Sequence, residues 1–203
     1  MQLFLKSLLI FAGGLVVLAA GLYGYGLLYP GSERSAGVAD IGGPFVLIDQ
    51  NGQRRSDLDF ADRYKLVFFG YTYCPDVCPT TLLNVSEALD ILQREAPAKA
   101  AEVVPIFITV DPERDTPAAL ASYLENFRPG IVGLTGSPAE IADVAREYRA
   151  YFRKVQPEES SEYLMDHSTF IYLMDKRGRY LGHFTHQTPP AEMAASLKEQ
   201  LPG

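Results

Sequence analysis

Cysteines, histidines and basic side chains are all scarce in this chain. Its 203 residues hold two cysteines, three histidines, and 18 lysines and arginines against 25 acidic side chains, for a net charge of −7. So few cysteines exclude a disulfide-dense scaffold, a four-cysteine zinc site and a four-cysteine iron–sulfur cluster. The acidic balance argues against nucleic acid, whose phosphates demand a basic face. Charge of either sign is missing from residues 7–29, a run of 23 positions. The first 29 residues carry only Lys6, so the rest of the chain holds −7 less one positive charge, or −8.

At about 1.5 Å per helical residue the uncharged run would extend roughly 34 Å, enough to cross a hydrocarbon core of about 30 Å. A cleaved signal peptide needs an apolar stretch of only about 7–15 residues. Here the stretch continues past Ala19-Ala20 through Leu22, Leu27 and Leu28. Tyr23, Tyr25 and Tyr29 cluster at its far end, where an interfacial aromatic belt would sit. Residues 1–29 are therefore expected to be an uncleaved N-terminal anchor, with one transmembrane helix over about 7–29. Lys6 and the amino terminus on one side, against Glu33 and Arg34 on the other, give a small positive-inside bias. That bias places the rest of a single-pass protein in the periplasm, or in the mitochondrial intermembrane space. Residues 30–43, with Gly, Ser, Ala and Pro and little apolar content, read as a linker. Residues 44–203 read as one soluble domain, long enough to bury a core unaided.

Within that domain, residues 45–48 and 53–56 flank Asn51-Gly52, a dipeptide suited to a tight hairpin turn. Leu66-Val67-Phe68-Phe69 is the continuous apolar run of a strand buried on both faces. After Cys78, Pro79 suits the first turn of a helix, and Leu82, Val85, Leu89 and Leu92 mark its inner face. Residues 102–110 return to a buried strand pattern, completing a parallel strand–helix–strand unit. Thr116-Pro117 opens a helix to about Phe127, and Ser137-Pro138-Ala139-Glu140 is a capping box with Ile141, Val144, Ala145 and Tyr148 at helical spacing behind it. Residues 168–174 and 179–184 surround a second turn at 175–178, and a last helix follows Thr188-Pro189. This order predicts an α/β fold, a thioredoxin-like sandwich with an added N-terminal β-hairpin.

Both cysteines fall in Cys74-Pro75-Asp76-Val77-Cys78, after a buried strand and at the start of a helix. Unpaired N–H groups and the partial positive charge of a helix N-terminus stabilise thiolates there, the form that attacks a disulfide or binds a metal. A structural disulfide across three intervening residues would stabilise little. Disulfide oxidoreductases usually space their cysteines with two residues between. The third one here leaves room for an ion with sulfur at about 2.3 Å.

Two thiolates are an incomplete site, and His167, His183, His186 and Met165 are the candidates to complete it. His183 lies within a strand pattern and His186 in the loop beyond, ordinary surface or capping positions, and Met165 suits packing. His167 directly precedes the strand at 168–174. In a thioredoxin-like sheet that strand runs antiparallel beside the one that leads to the cysteines, so His167 and the cysteines share one edge. Two thiolates and an imidazole suit Cu(I), and imidazole can also support Cu(II); zinc fits the donors too but would want a fourth ligand. Asp76 and Asp166 are nearby carboxylates able to orient His167 or cap a turn. Glu158, Glu159 and Glu162 read as a solvated acidic loop.

At these residues the sequence resembles the Sco/SenC family of copper-binding proteins. Gly42-Gly43-Pro44-Phe45 with Asp49 and Gly52 is similar to its opening hairpin, and the run from Phe69 through Cys74 and Cys78 to Pro79 to its metal loop. The run from Val110 through Asp111, Arg114 and Asp115 to Pro117 resembles a characteristic family loop, here read as a turn and helix cap without a catalytic role. Asp166-His167-Ser168 resembles the segment carrying the family's histidine ligand. Tyr73 stands where many members have histidine, and Asp62 where glycine is common. The resemblance implies one copper, Cu(I) or Cu(II), held by Cys74, Cys78 and His167, in an inner-membrane protein. It also implies a partner, cytochrome c oxidase subunit II with its CuA centre, and room for a second copper chaperone.

Three functions are consistent with these residues. The first is a non-enzymatic copper metallochaperone, which binds the ion and passes it on by ligand exchange. The second is a thiol–disulfide oxidoreductase keeping a partner's cysteines reduced, with Cys74 attacking and Cys78 resolving. Oxidation of the pair to a disulfide bond would abolish the metal site. The third is a copper or redox sensor.

Overall fold

The computed structural model describes residues 41–156 and 162–202. The chain divides into two units, Met1–Val38 and Ala39–Gly203, and the described residues belong to the second. The expected membrane segment at 7–29 lies outside the described residues, as does most of the linker. Among the described residues no helix is long and apolar enough to cross a membrane.

Two apolar runs organise the domain. Strands β3 (Tyr64–Gly70) and β4 (Val103–Thr109) are buried at every position and pair in parallel from Tyr64↔Val103 to Gly70↔Thr109. Between them the chain forms α1 (Val77–Glu95) and the short α2 (Pro97–Ala101). Leu82, Val85, Leu89 and Leu92, spaced to share one stripe of α1, are each no more than 3% exposed. Full burial of such side chains stabilises by roughly 1.5–3 kcal/mol apiece. Strands β1 (Val46–Asp49), β2 (Arg54–Ser56), β5 (Val132–Thr135), β8 (Phe170–Met174) and β9 (Tyr180–Thr185) complete a seven-stranded sheet in the order β2-β1-β5-β4-β3-β8-β9. β8 lies antiparallel to β3, with Phe68 opposite Ile171. Phe68 and Phe107 meet on the face covered by α1 and by Tyr123 of α3 (Pro117–Leu124). Tyr148, at the end of α4 (Pro138–Glu147), packs on Phe69 and Tyr172 on the opposite face. The last helix, α5 (Pro190–Gln200), lies along α1. The thioredoxin-like α/β sandwich with its N-terminal hairpin is the fold observed.

The differences from expectation are local. α3 ends at Leu124, short of Phe127, because Asn126 Nδ2 takes the carbonyls of Ser122 and Tyr123 at 3.3 and 3.0 Å. Pro129 then disfavours a helical Arg128. β5 escaped the pattern because four residues containing Gly133 show no alternation. A Cβ at 133 would stand 2.6 Å from Leu124 Cδ1, so the bare backbone there is where the Leu124 side chain packs. Strands β6 (Phe152–Val155) and β7 (Leu164–His167) form a separate two-stranded sheet that hydropathy did not reveal, since both are short and half-exposed.

Both hairpin turns use one device. In each, an aspartate (Asp49, Asp175) accepts a backbone N–H from the glycine three residues on, at 2.9 and 3.1 Å, and its carboxylate accepts from the backbone two and four residues on. Gly52 and Gly178 both sit at φ +77°. Asn51 does not adopt positive φ, so Asn51-Gly52 is not the centre of a two-residue turn. The aspartate side chain holds a longer loop, closed by the left-handed glycine. Nothing lies within 4 Å of a Cβ at Gly52 or Gly178, so only backbone strain opposes substitution. Gly178→Ala is expected to cost about 1 kcal/mol, read as a lower urea midpoint with unchanged slope. Burial pushes the Asp175 carboxyl up, but hydrogen bonds from the Arg179 backbone and side chain outweigh it and hold the group below its ordinary value. Its contribution is therefore present above about pH 4 and lost as pH falls below that. The stability gap between wild type and Asp175→Asn should be full at pH 6 and shrink in that lower window.

Candidate metal centre

β3 ends at Gly70, and residues 71–76 carry the chain across the sheet's edge to the start of α1. Cys74 sits on this loop, its N–H donating to the Tyr71 carbonyl at 3.3 Å. Cys78 lies in the first turn of α1 and donates its own N–H to Cys74 Sγ at 3.3 Å. The free donors of the helix N-terminus thus fall on the sulfur. Cys78 is fully buried and Cys74 half-buried, and both are free thiols. Gly70 makes the burial possible, since a Cβ there would stand 2.9 Å from Cys78 Sγ and 2.7 Å from the Phe107 ring.

His167 is the last residue of β7 and pairs with Phe152 of β6. Ser168 N–H donates to the Tyr151 carbonyl and Tyr151 N–H to Ser168 Oγ, both at 2.9 Å. His167 Nδ1 lies 2.9 Å from the Ser168 carbonyl oxygen. A carbonyl only accepts, so Nδ1 carries the proton and the Nε2 lone pair is left open. Nε2 points at Cys78 Sγ, 3.5 Å away, and the ring stands edge-on to Phe68 and Tyr71. The ligand atoms of Cys74, Cys78 and His167 all lie within 4.8 Å of one another. An ion with sulfur and nitrogen ligands at about 2.0–2.3 Å sets its donors at most about 4 Å apart, so a small contraction suffices. The donor set fits a soft ion.

The thiols divide one charge unequally. The Cys78 thiol, hydrogen-bonded to Cys74, lowers the Cys74 pKa to about 4 against the opposing effect of burial, with help from the N–H groups of Cys78 and Asp76. Burial raises Cys78, and the neighbouring Cys74 adds to the rise. Without metal the pair is one half-exposed thiolate and one buried thiol.

Sequence reasoning missed the supports of this site. Asp115, fully buried, accepts from Thr72 N–H at 3.0 Å, Thr72 Oγ1 at 2.6 Å and Thr109 Oγ1 at 2.6 Å. It thereby pins the cysteine loop to the end of β4. Asp111 is ion-paired with Arg114 and accepts from Tyr163 Oη at 2.8 Å. The Arg114 guanidinium lies over Tyr163, 3.7 Å from the ring centre, and over Tyr73 at 4.6 Å. It ties the residue before Cys74 to the residue before β7. The available signal is two acids, Asp111 and Asp115, in the loop after a buried strand, a pattern that by itself suggests a turn and a helix cap.

The other candidates stand apart. His186 Nδ1 meets Thr169 Oγ1 at 3.1 Å, and His183 meets Tyr180 Oη. Met165 is buried and lines a cavity of about 120 Å³ with Ile141 and Phe152. Asp76 makes no side-chain capping bond, and Asp166 pairs with Arg153 at 3.4 Å rather than orienting His167. Glu162 pairs with Arg114 at 3.9 Å, while Glu158 and Glu159 lie outside the described residues.

A family model described as SCO1/SenC matches residues 33–202. Among curated proteins, the SCO2-like protein of Rickettsia conorii is 40% identical over 161 residues, covering 79% of this chain and 77% of its own. A solved structure of Bradyrhizobium japonicum ScoI with copper bound is 50% identical, with TM-score 0.71, covering 79% of this chain and 99% of that one. Arabidopsis thaliana ScoI, also solved with copper bound, is 39% identical, with TM-score 0.73 and coverage of 78% and 97%.

Two outcomes follow for the metal-free protein. Alkylation of Cys74 by iodoacetamide should proceed at a nearly constant rate from pH 8 to 5.5, where an ordinary thiol slows about tenfold per unit. Gly70→Ala should lose about 1–3 kcal/mol of stability to overpacking, measured by urea unfolding, as Cys78 is forced away from the sheet.

Proposed function

Because this chain belongs to the SCO1/SenC family, we propose that it is a copper metallochaperone that binds one ion through Cys74, Cys78 and His167 and helps assemble the CuA centre of cytochrome c oxidase subunit II. The observation that carries this reading is the convergence of two sulfurs and a correctly protonated imidazole within 4.8 Å. Support comes also from the 50% identical ScoI, which was solved with copper bound. On this reading residues 7–29 anchor the protein in the inner membrane, residues 30–43 tether it, and residues 44–203 work in the periplasm or its mitochondrial equivalent.

Each residue has a defined task. Cys74 is already a thiolate and needs no deprotonation to take the ion. Cys78 gives up its proton on binding, its sulfur held against the sheet by the space at Gly70. His167 presents Nε2 because the Ser168 carbonyl holds the proton at Nδ1. Asp115 and Arg114 keep the cysteine loop and β7 in register. Copper is the cargo, and three protein donors leave a position through which an acceptor thiolate can enter and take it.

A second reading is favoured by the asymmetry of the thiols. An accessible thiolate beside a buried thiol is the arrangement of a disulfide reductant, with Cys74 attacking and Cys78 resolving. The two activities exclude each other only in the disulfide state.

Full-length protein, reduced in detergent and titrated anaerobically with Cu(I) against a chelator, should bind one copper, and His167→Ala should weaken it by about 10–100-fold or more. Weak binding indifferent to His167, with rapid reduction of a disulfide substrate, would transfer the assignment to the oxidoreductase reading.

A further inference from the structure

At the end of the sheet away from the metal centre, a lysine is sealed from water. Lys65, the second residue of β3, is 3% exposed. From there β3 climbs about 3.3 Å per residue to Gly70, roughly 17 Å in all. The Lys65 ammonium donates to the carbonyls of Phe60 and Lys176, at 3.2 and 3.3 Å. It thereby clips the helical turn Asp57–Phe60 to the turn between β8 and β9. An ammonium has three protons, and the two carbonyls take two of them. No carboxylate among the described residues forms an ion pair with it. Asp175, Asp57 and Asp62 act only from a distance, and burial leaves the lysine below its ordinary pKa.

Lys65 lines a cavity of about 230 Å³, and the other charged side chains on its wall are Asp57, Lys176 and Arg177. Lys176 is ion-paired with Glu102 at 3.2 Å. Asp57 accepts the Phe45 N–H at 3.3 Å, and the exposed Arg177 has no side-chain partner among the described residues. Lys65 and Arg177 against Asp57 leave the wall one positive charge to balance. Tyr148, also 3% exposed, lines the same cavity, and its hydroxyl makes no hydrogen bond among the described residues. A buried hydroxyl without a partner destabilises the fold that holds it. Pro44, Phe45 and Leu58 supply apolar wall beside these groups.

We propose that this cavity binds a small organic monocarboxylate, its head held by Lys65 and Tyr148 and its apolar body laid against Pro44, Phe45 and Leu58. The inference goes beyond the copper reading and needs no metal. A carboxylate accepts the third ammonium proton and the free hydroxyl proton together, the first as a charge-assisted bond. Arg177 adds the second positive charge at the rim. A ligand with two negative charges would set one of them against Asp57, so inorganic phosphate fits less well. A neutral amide of the same shape offers the oxygen without the charge that the wall lacks.

The test follows reduced, metal-free, full-length protein in detergent by amide NMR while benzoate, benzamide or inorganic phosphate is added. Benzoate should shift the amides of 57–61 and 176–178, which border the cavity, with a Kd of about 1 mM or tighter. Benzamide should bind about tenfold more weakly or worse. Tyr148→Phe should weaken benzoate about fivefold or more. Its thermal midpoint without probe should be no lower than wild type, because the hydroxyl has no partner to lose. Arg177→Gln should weaken benzoate about threefold at an unchanged midpoint. Lys65→Met should lose benzoate altogether; if it does not fold, the other two variants decide. Equal binding of benzoate and benzamide overturns the anionic head, and phosphate binding tighter than benzoate overturns the monocarboxylate. Benzoate shifts that survive Tyr148→Phe and Arg177→Gln unchanged, or that spread over the surface, mean an adventitious additive only and overturn the site. Cu(I) affinity against a chelator should be equal for wild type and Tyr148→Phe, which keeps a failure here separate from a failure of the copper reading.

Discussion

A carboxylate sealed from water has to be met by donors, and at Asp115 those donors come from two other parts of the chain, the cysteine loop and the end of β4, that must then stay together. Burial raises its pKa, while the hydroxyls of Thr109 and Thr72 and the Thr72 N–H pull the other way. Deep burial without them would cost several kcal/mol. The geometry of the cysteine loop is therefore coupled to the end of β4 and, through the loop that holds Asp115, to Asp111 and Arg114. Arg114 extends the coupling to Tyr73 and Tyr163, so the two halves of the donor set are braced from one side. Nothing in this brace touches the sulfurs, which leaves them free to change partners.

The large features were legible because they rest on periodicity and punctuation. Leu66 to Phe69, the α1 stripe and the Ser137 capping box each declare themselves within a few residues. Even the meeting of His167 with the cysteines could be argued, because antiparallel strands place a beginning beside an end. What stayed hidden was set by distant partners. β5 is a strand because β4 and β1 flank it, and Gly133 serves Leu124 rather than any local pattern. β6 and β7 pair only with each other and carry exposed charge. Asp115 looked like any acid in a turn, since only the fold shows that it is buried and whose hydroxyls it meets. The Asn51-Gly52 turn was placed correctly but misjudged in type, because the decisive group was the Asp49 side chain.

The expectation of a membrane segment rests on the sequence alone, through the uncharged run at residues 7–29. The domain that follows is acidic, yet its charge is unevenly spread. Ion pairs such as Lys154 with Glu113 and Lys198 with Glu95 lie on other parts of the surface, and the strip from His167 across β8 and β9 is bare of charge.

The direction of His167 has a thermodynamic consequence. With Nδ1 held 2.9 Å from the Ser168 carbonyl oxygen, the ring keeps Nε2 aimed at Cys78 Sγ, 3.5 Å away. Phe68 and Tyr71 stand edge-on to the same ring. The rotational freedom that a donor ordinarily loses on binding is lost here when the chain folds, so an arriving ion has little left to order. A backbone carbonyl thus sets the donor in place before any cargo arrives.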